Sequence, residues 1–189
     1  MKNLLIKRGY TWGVLLEIML FLYFYSVEPN INEVFRYAAR YSGRLSLGIY
    51  LFCFFLYKEA SLKNESLEIT KKALGVFAIM HLIHFFFLAY SIYLNDVPII
   101  PIRLAGGFIA YLMIVIYPFL IEKINRKTHH LTYFYYVGFV MIMTYISRVQ
   151  GKFIGANPEI FHYIALSTLI LCLLFFGMQL IRSKNSSLK

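Results

Sequence analysis

The sequence predicts an all-α polytopic membrane protein, a bundle of six transmembrane helices in one membrane domain over residues 1–189. Of its residues 60% are hydrophobic and only 15% are charged, which is more apolar surface than one soluble core requires. The apolar residues form runs of helical length. Crossing about 30 Å of hydrocarbon takes about 20 residues of helix, because a helix satisfies its own backbone groups. The lipid bilayer is therefore the expected surroundings of most of the chain.

Six apolar runs are long enough to be predicted as spans, within two to four residues at each end. They are Tyr10–Tyr25, Leu45–Tyr57, Leu74–Leu94, Leu104–Ile121, Leu131–Ile146 and Ile160–Ile181. Lys2, Lys7 and Arg8 precede the first run, as in a signal peptide, but no small-residue cleavage site follows Tyr25. We therefore expect the first helix to be retained.

The distribution of Lys and Arg between alternate loops predicts the orientation. Thirteen fall on one side: Lys2, Lys7, Arg8, Lys58, Lys63, Lys71, Lys72, Lys123, Arg126, Lys127, Arg182, Lys184 and Lys189. Six fall on the other: Arg36, Arg40, Arg44, Arg103, Arg148 and Lys152. The richer side is expected to face the cytoplasm, which places both termini there. The net charge of +10 is then a topology signal, and no nucleic-acid partner is expected.

Three arginines precede the second span at intervals of four residues, at Arg36, Arg40 and Arg44. This spacing predicts one basic stripe on a helix that leads into the span from the outer side. A guanidinium group pairs well with planar oxygen acceptors. Glu33, anionic headgroups, haem propionates and a quinone carbonyl are all acceptable partners.

Ionisable residues inside the spans are functional candidates, because an unpaired one is costly in hydrocarbon. Glu17 in the first span could balance a positive group, carry a proton or remain a protonated, hydrogen-bonded carboxyl. His81 and His84 in the third span share a helix face and could both point at one object, such as a haem iron. Alternatively, each of them hydrogen-bonds a carbonyl group or a serine of a neighbouring helix.

The remaining spans carry weaker signals. His129 and His130 open the fifth span in a basic loop, where a solvated interface is a commoner role than a ligand site. The aromatic run from Tyr133 to Tyr136 indicates packing and an interfacial belt. His162 lies at the outer end of the sixth span. The loops are too short for a catalytic domain and contain no glycine-rich phosphate loop, so a nicotinamide or flavin domain would be a separate chain.

Three stretches occur in a familiar order, namely residues 40–47, residues 71–84 and residues 130–136. Together they resemble the ferric reductase-like transmembrane domain family. Within it, the likeness is to bacterial proteins similar to the haem-binding membrane subunit of the methionine sulfoxide reductase system. The resemblance covers residues 36–148, and the helices at residues 10–25 and 160–181 would be additions to that core.

The resemblance implies a haem b whose iron is held by His84 and His130, with His81 as an extra candidate. Arg40 and Arg44 would orient the propionates or a quinone. The family pattern has a further histidine where this sequence has Met143. His84 lies about 18 Å beyond Lys72 at about 1.5 Å per residue, whereas His130 follows Lys127 closely, so the two are poorly matched in depth. Met143 is better matched to His84 in depth, although packing like a leucine is the role that we expect for it.

The function expected from this resemblance is transmembrane electron transfer, from quinol or a cytoplasmic flavin reductase to an outer acceptor. A separate reductase or acceptor subunit would be its partner. The alternative is a non-enzymatic membrane assembly subunit, or a small transporter, that keeps the fold without haem. In that case the histidines make interhelical hydrogen bonds.

Overall fold

The computed structural model describes residues 8–98, 101–152 and 157–186, and the side chains of these except residues 101–104 and 181–186. In these ranges the chain has no strand and six helices. They are α1 Gly9–Val27, α2 Ile31–Lys63, α3 Glu68–Leu94, α4 Pro101–Leu120, α5 Lys127–Val149 and α6 Ile160–Ser186. The predicted all-α bundle of six helices is confirmed. Among the residues used for orientation, Lys2, Lys7 and Lys189 lie outside the described residues, as do the side chains of Arg103, Arg182 and Lys184.

The predicted spans match the helices to within one residue or fall inside longer ones. The largest difference is in α2, which begins at Ile31 rather than Leu45. The Asn30 side chain accepts a hydrogen bond of 3.0 Å from the N–H of Asn32, so a cap well before the apolar run fixes the helix start. The basic stripe therefore lies on the same continuous helix as the second span.

Four of the helices, α1, α2, α3 and α6, are long and apolar enough to cross a membrane. The apolar part of α4, Ala105–Leu120, is shorter. In α5, polar residues such as His129 and Thr132 alternate with apolar ones and lower its hydropathy. The chain is an integral membrane protein, and large apolar side chains on the outside of the bundle, such as Met19 and Phe119, face lipid.

Five helices enclose the main core. The most extensive pair is α2 with α3, and contacts continue from α3 through α4 and α5 to α6, which returns to α2. Buried aromatic rings fill this core, among them Tyr50, Phe54, Phe77 and Phe134. Helix α1 packs outside the five, mainly on α2 and α3, over a second and smaller apolar cluster. Two interfaces therefore exist in which polar residues can be enclosed.

Candidate functional site

His81 and His84 lie one turn apart on α3, with ring centroids 5.4 Å apart. The Nδ1 atom of His81 is hydrogen-bonded to the Ser46 hydroxyl of α2. Its ring also packs on Tyr111 of α4, at a centroid distance of 4.6 Å. His81 therefore joins α3 to both of its neighbours in the main bundle.

The tip of the His84 ring is directed at the backbone of α2. A Cβ atom at Gly43 would stand 3.0 Å from Cε1 of His84 and 3.6 Å from each ring nitrogen. Gly43 is therefore the residue that makes room for the imidazole. The Nδ1 atom of His84 is buried and has no hydrogen-bond partner among the described residues.

Glu17 is enclosed on the inner face of α1, with 0% of its surface exposed. Ser42 of α2, also 0% exposed, is the polar side chain that faces this carboxyl group. Neither of the two carboxyl oxygens of Glu17 has a hydrogen-bond partner of good geometry among the described residues. The same is true of the Ser42 Oγ atom.

Packing on either side of Glu17 places it at the level of His84. One turn before it, a Cβ atom at Gly13 would touch Met80 of α3 at 3.0 Å. One turn after it, Phe21 stacks on Phe87 of α3, with centroids 5.5 Å apart. His84 lies midway between those α3 residues. Glu17 and Ser42 thus face each other between α1 and α2, and His84 lies at the same level on α3, beside the residue that follows Ser42. We refer to Glu17, Ser42 and His84 as the α1–α2–α3 junction.

The end of the bundle at which α2 and α6 begin contains a cluster of ion pairs, and we call it the outer end after the side of the membrane that the sequence predicts for it. Arg40 donates to Glu159, just before α6, at 2.7 Å, and Arg44 donates to the other oxygen of the same carboxylate. The Arg44 guanidinium also lies 4.4 Å from the ring centroids of both Tyr41 and Phe161. Burial alone would raise the pKa of Glu159, but the hydrogen bond from Arg44 and the charges of Arg44 and Arg40 lower it below its ordinary value.

The third arginine of the stripe has different partners. Arg36 pairs with Glu33, one turn earlier on α2, and donates to the side-chain oxygen of Asn95 at 2.6 Å. It therefore fixes α2 to the end of α3. Glu33 was one of the partners expected for the stripe, whereas Arg40 and Arg44 use a carboxylate from a distant part of the chain.

His130 lies far from the α1–α2–α3 junction. Its Nδ1 atom is 2.6 Å from the Tyr117 hydroxyl of α4, and its Nε2 atom is 3.0 Å from the carbonyl oxygen of Ile124. Both ring nitrogens are thus occupied within the protein. The neighbouring His129 is exposed, which fits a solvated interface.

The predicted haem ligands do not come together around one iron. His84 lies beside Gly43 of α2, whereas the ring of His130 packs on Tyr57 of the same helix, at a centroid distance of 5.2 Å. Gly43 and Tyr57 are fourteen residues apart, which is about 21 Å of helix at about 1.5 Å per residue. Met143 is 47% exposed on the outside of the bundle, so it is not placed to ligate iron beside His84. These residues do not fit a haem with two axial ligands.

His81 and His84 cannot together supply the two axial ligands of one haem either. They project from the same helix, and the tip of His84 is packed against α2, so a porphyrin cannot stand between the two rings. Within the described residues, no three His, Cys, Asp or Glu side chains are grouped so that they could hold a metal ion.

Sequence reasoning did not find Glu159. It stands alone between the fifth and sixth spans, yet it is the carboxylate that pairs with two of the outer arginines. The available signal was charge balance, because three arginines on the outer side require acceptors and few acids are present there. Ser42 and Ser46 were also missed, although serines four residues apart on a buried helix face are natural partners for histidines of the next helix.

Comparisons with family models, with curated proteins and with solved structures find no match for this chain.

Proposed function

We propose that this protein is a membrane assembly subunit that keeps a six-helix bundle without a bis-histidine haem. The observation that carries the proposal is the state of His130, whose two ring nitrogens both bond within the protein. A histidine in this state contributes to structure rather than to iron binding. The resemblance to ferric reductase-like domains would then concern the fold and not the cofactor.

In this proposal the histidines connect helices. His81 joins α3 to α2 through Ser46, and His130 joins α5 to α4 through Tyr117. In a bilayer, where apolar surfaces gain little by associating with each other, an interhelical hydrogen bond contributes about 0.6 to 2 kcal/mol. Several such bonds hold the bundle in one arrangement on which a partner can assemble. Any redox chemistry would belong to a separate reductase or acceptor subunit.

The proposed orientation places both termini on the cytoplasmic side of an inner membrane of bacterial type. Its support is the unequal distribution of basic residues and their placement at opposite ends of the bundle. Lys71 at the start of α3 pairs with Glu122 after α4, whereas Arg40 and Arg44 pair with Glu159 at the other end.

Orientation is tested by labelling single cysteines with a membrane-impermeant maleimide. Cys53 and Cys172 are first replaced by alanine, and one cysteine is then placed at exposed Lys63 or exposed Lys152. In intact spheroplasts we expect labelling at position 152 only. Labelling at position 63 alone would reverse the orientation.

Haem-based electron transfer is the second candidate function. One observation favours it, namely the unpartnered Nδ1 atom of His84. The decisive measurement is a reduced-minus-oxidised absorption spectrum, with a pyridine haemochrome assay, on protein expressed with ample haem. The first proposal predicts a colourless, folded protein. A b-type spectrum with stoichiometric haem would contradict it and establish an electron carrier.

If the purified protein contains haem, the next tests would identify the iron ligands and any bound quinone. Loss of haem in His84→Ala but not in His129→Ala would support the role of His84, and unchanged haem would remove it. Bound haem propionates or a quinone at Arg40 and Arg44 would have to displace Glu159. Glu159→Gln should then strengthen rather than weaken their binding.

A further inference from the structure

Unpartnered buried polar atoms concentrate at one place in the described part of the chain. Eight buried side-chain atoms lack a hydrogen-bond partner there, and four of them belong to the α1–α2–α3 junction. These four are both carboxyl oxygens of Glu17, the Ser42 hydroxyl and the His84 Nδ1 atom. Buried polar groups are normally satisfied because an unmade hydrogen bond is costly, so such a concentration requires an explanation.

The chemistry of the three groups is that of a proton relay. A carboxyl group accepts hydrogen bonds when ionised and donates one when protonated. A serine hydroxyl donates and accepts at the same time, and Nδ1 of a neutral imidazole takes either role according to its tautomer. The same three groups can therefore accommodate a proton in more than one position without a large rearrangement.

We propose that the α1–α2–α3 junction is an intramembrane proton-binding site, with Glu17 as the exchanging acid and Ser42 and His84 as its hydrogen-bonding partners. When Glu17 releases its proton, the carboxyl O–H bond breaks. The proton passes through the Ser42 hydroxyl or a bound water, and an N–H bond forms on His84 Nδ1. The N–H bond of the imidazolium then breaks as the proton passes to water outside the junction, which leaves Glu17 ionised and His84 neutral. No electron moves, and the junction has released one proton.

The surroundings of the junction decide which of its groups holds the proton. Helix α1 packs on α2 and α3, from which the facing polar groups are Ser42 and His84; Met80 and Phe87 above and below are apolar. Arg44, two residues from Ser42, points away toward Phe161 and Glu159. Of the cations at the outer end, Arg148 acts on His84. This positive charge disfavours a proton on His84, so His84 passes the proton on and Glu17 is the group that holds it between exchanges.

This inference goes beyond the proposed function and does not depend on it, since haem content and proton binding are measured separately. The test is infrared difference spectroscopy of the full chain in lipid while the pH is changed. We expect a carboxylic-acid C=O band that responds to pH and shifts in D2O. The band should disappear in Glu17→Gln and persist in Glu65→Gln, which removes an exposed carboxyl group of the α2–α3 loop.

A band that is unchanged in Glu17→Gln, or the lack of any pH-dependent band, would overturn the proposal. If Glu17→Gln fails to fold, the Ser42→Ala variant provides the test instead, because it keeps the carboxyl group of Glu17. The proposal then requires that the pH midpoint of the C=O band differ between Ser42→Ala and the unaltered chain. An unaltered midpoint in Ser42→Ala would exclude the relay. A midpoint that depends on Na⁺ but not on K⁺ would also overturn it, because the bound species would then be a metal cation.

Discussion

The two histidine regions of this bundle are constructed in opposite ways. Around His130, each ring nitrogen has a partner, and the Tyr117 ring stacks on Tyr133 with centroids 3.7 Å apart. Around His84, Gly43 makes room for the imidazole ring, and the buried side-chain oxygens of Glu17 and Ser42 are unpartnered among the described residues. Both ring nitrogens of His130 are satisfied internally, although the hydroxyl of nearby Tyr133 has no partner among the described residues, whereas four unpartnered polar atoms lie together in the second region.

This difference separates stability from function. A closed hydrogen-bond network around buried rings gives a single packed arrangement but leaves no group free for a ligand. Unsatisfied polar groups lower stability, and they are retained where they act on something outside the folded chain. Substitutions in the two regions should therefore differ in kind. Those around His130 should reduce stability, and those around Glu17 should change proton binding.

The largest expected effect on stability is that of His130→Ala. The substitution leaves the Tyr117 hydroxyl and the Ile124 carbonyl without their partner and creates a cavity. We expect a loss of about 2 to 4 kcal/mol in the free energy of unfolding. It is measured by unfolding in mixed micelles of rising SDS content, followed by circular dichroism.

The adjacent His129 provides the matched control, because it is exposed on the same turn of α5. His129→Ala should change the free energy of unfolding by less than about 0.5 kcal/mol. Equal losses for the two variants would mean that the hydrogen bonds of His130 contribute nothing to stability. The contrast between the two histidine regions would then be lost.

A smaller effect is expected from filling the space beside His84. In Gly43→Ala the new methyl group meets the imidazole at 3.0 Å, and crowding of this kind costs about 1 to 3 kcal/mol. Removing a glycine from the helix returns up to about 1 kcal/mol, so the net loss should be about 1 kcal/mol. Gly48→Ala is the control, because a methyl group there meets nothing within 4 Å and only the gain applies.

A double substitution isolates the contact. If His84 is what Gly43 accommodates, Gly43→Ala should be less harmful in a His84→Ala background than in the unaltered chain. The same loss in both backgrounds would show that another neighbour of Gly43 is responsible. The glycine would then have no specific connection with the α1–α2–α3 junction.

The fold was predictable from the sequence because hydrocarbon imposes a simple rule. Apolar runs of helical length, such as residues 74–94, have one stable form in lipid. The four-residue spacing of the arginines predicted a helix leading into the second span, but hydropathy could not place its start at Ile31, since residues 31–44 are polar. A hydrogen-bonded cap at Asn30 and ion pairs of the arginines extend the helix there instead.

The site was predictable only in part. Helical spacing correctly predicted that His81 and His84 share a face, because that depends on residues of one helix. Which group each of them meets depends on the rotation and depth of other helices. The sequence alone could not bring Glu17 to the level of His84, or Glu159 to Arg40 and Arg44, because these contacts join segments far apart in the chain.

The smallest expected effect is at the outer ion-pair cluster and depends on pH. The pKa of Glu159 is lowered in the folded protein, so its ion pairs stabilise the fold above the ordinary carboxyl range. This stabilisation is lost as the pH falls through the lowered value, where the carboxylate becomes protonated. The side chain is 36% exposed, and screening by solvent limits the contribution to about 1 kcal/mol or less. Glu159→Gln should therefore have a lower free energy of unfolding than the unaltered chain at neutral pH, and the two values should become equal in acid. The exposed Glu65→Gln is the control, and its free energy of unfolding should differ from that of the unaltered chain by the same amount at every pH. A difference that persisted unchanged into acid would mean that Glu159 acts through its shape and neutral hydrogen bonds, and the arginines would then be available to an external anion.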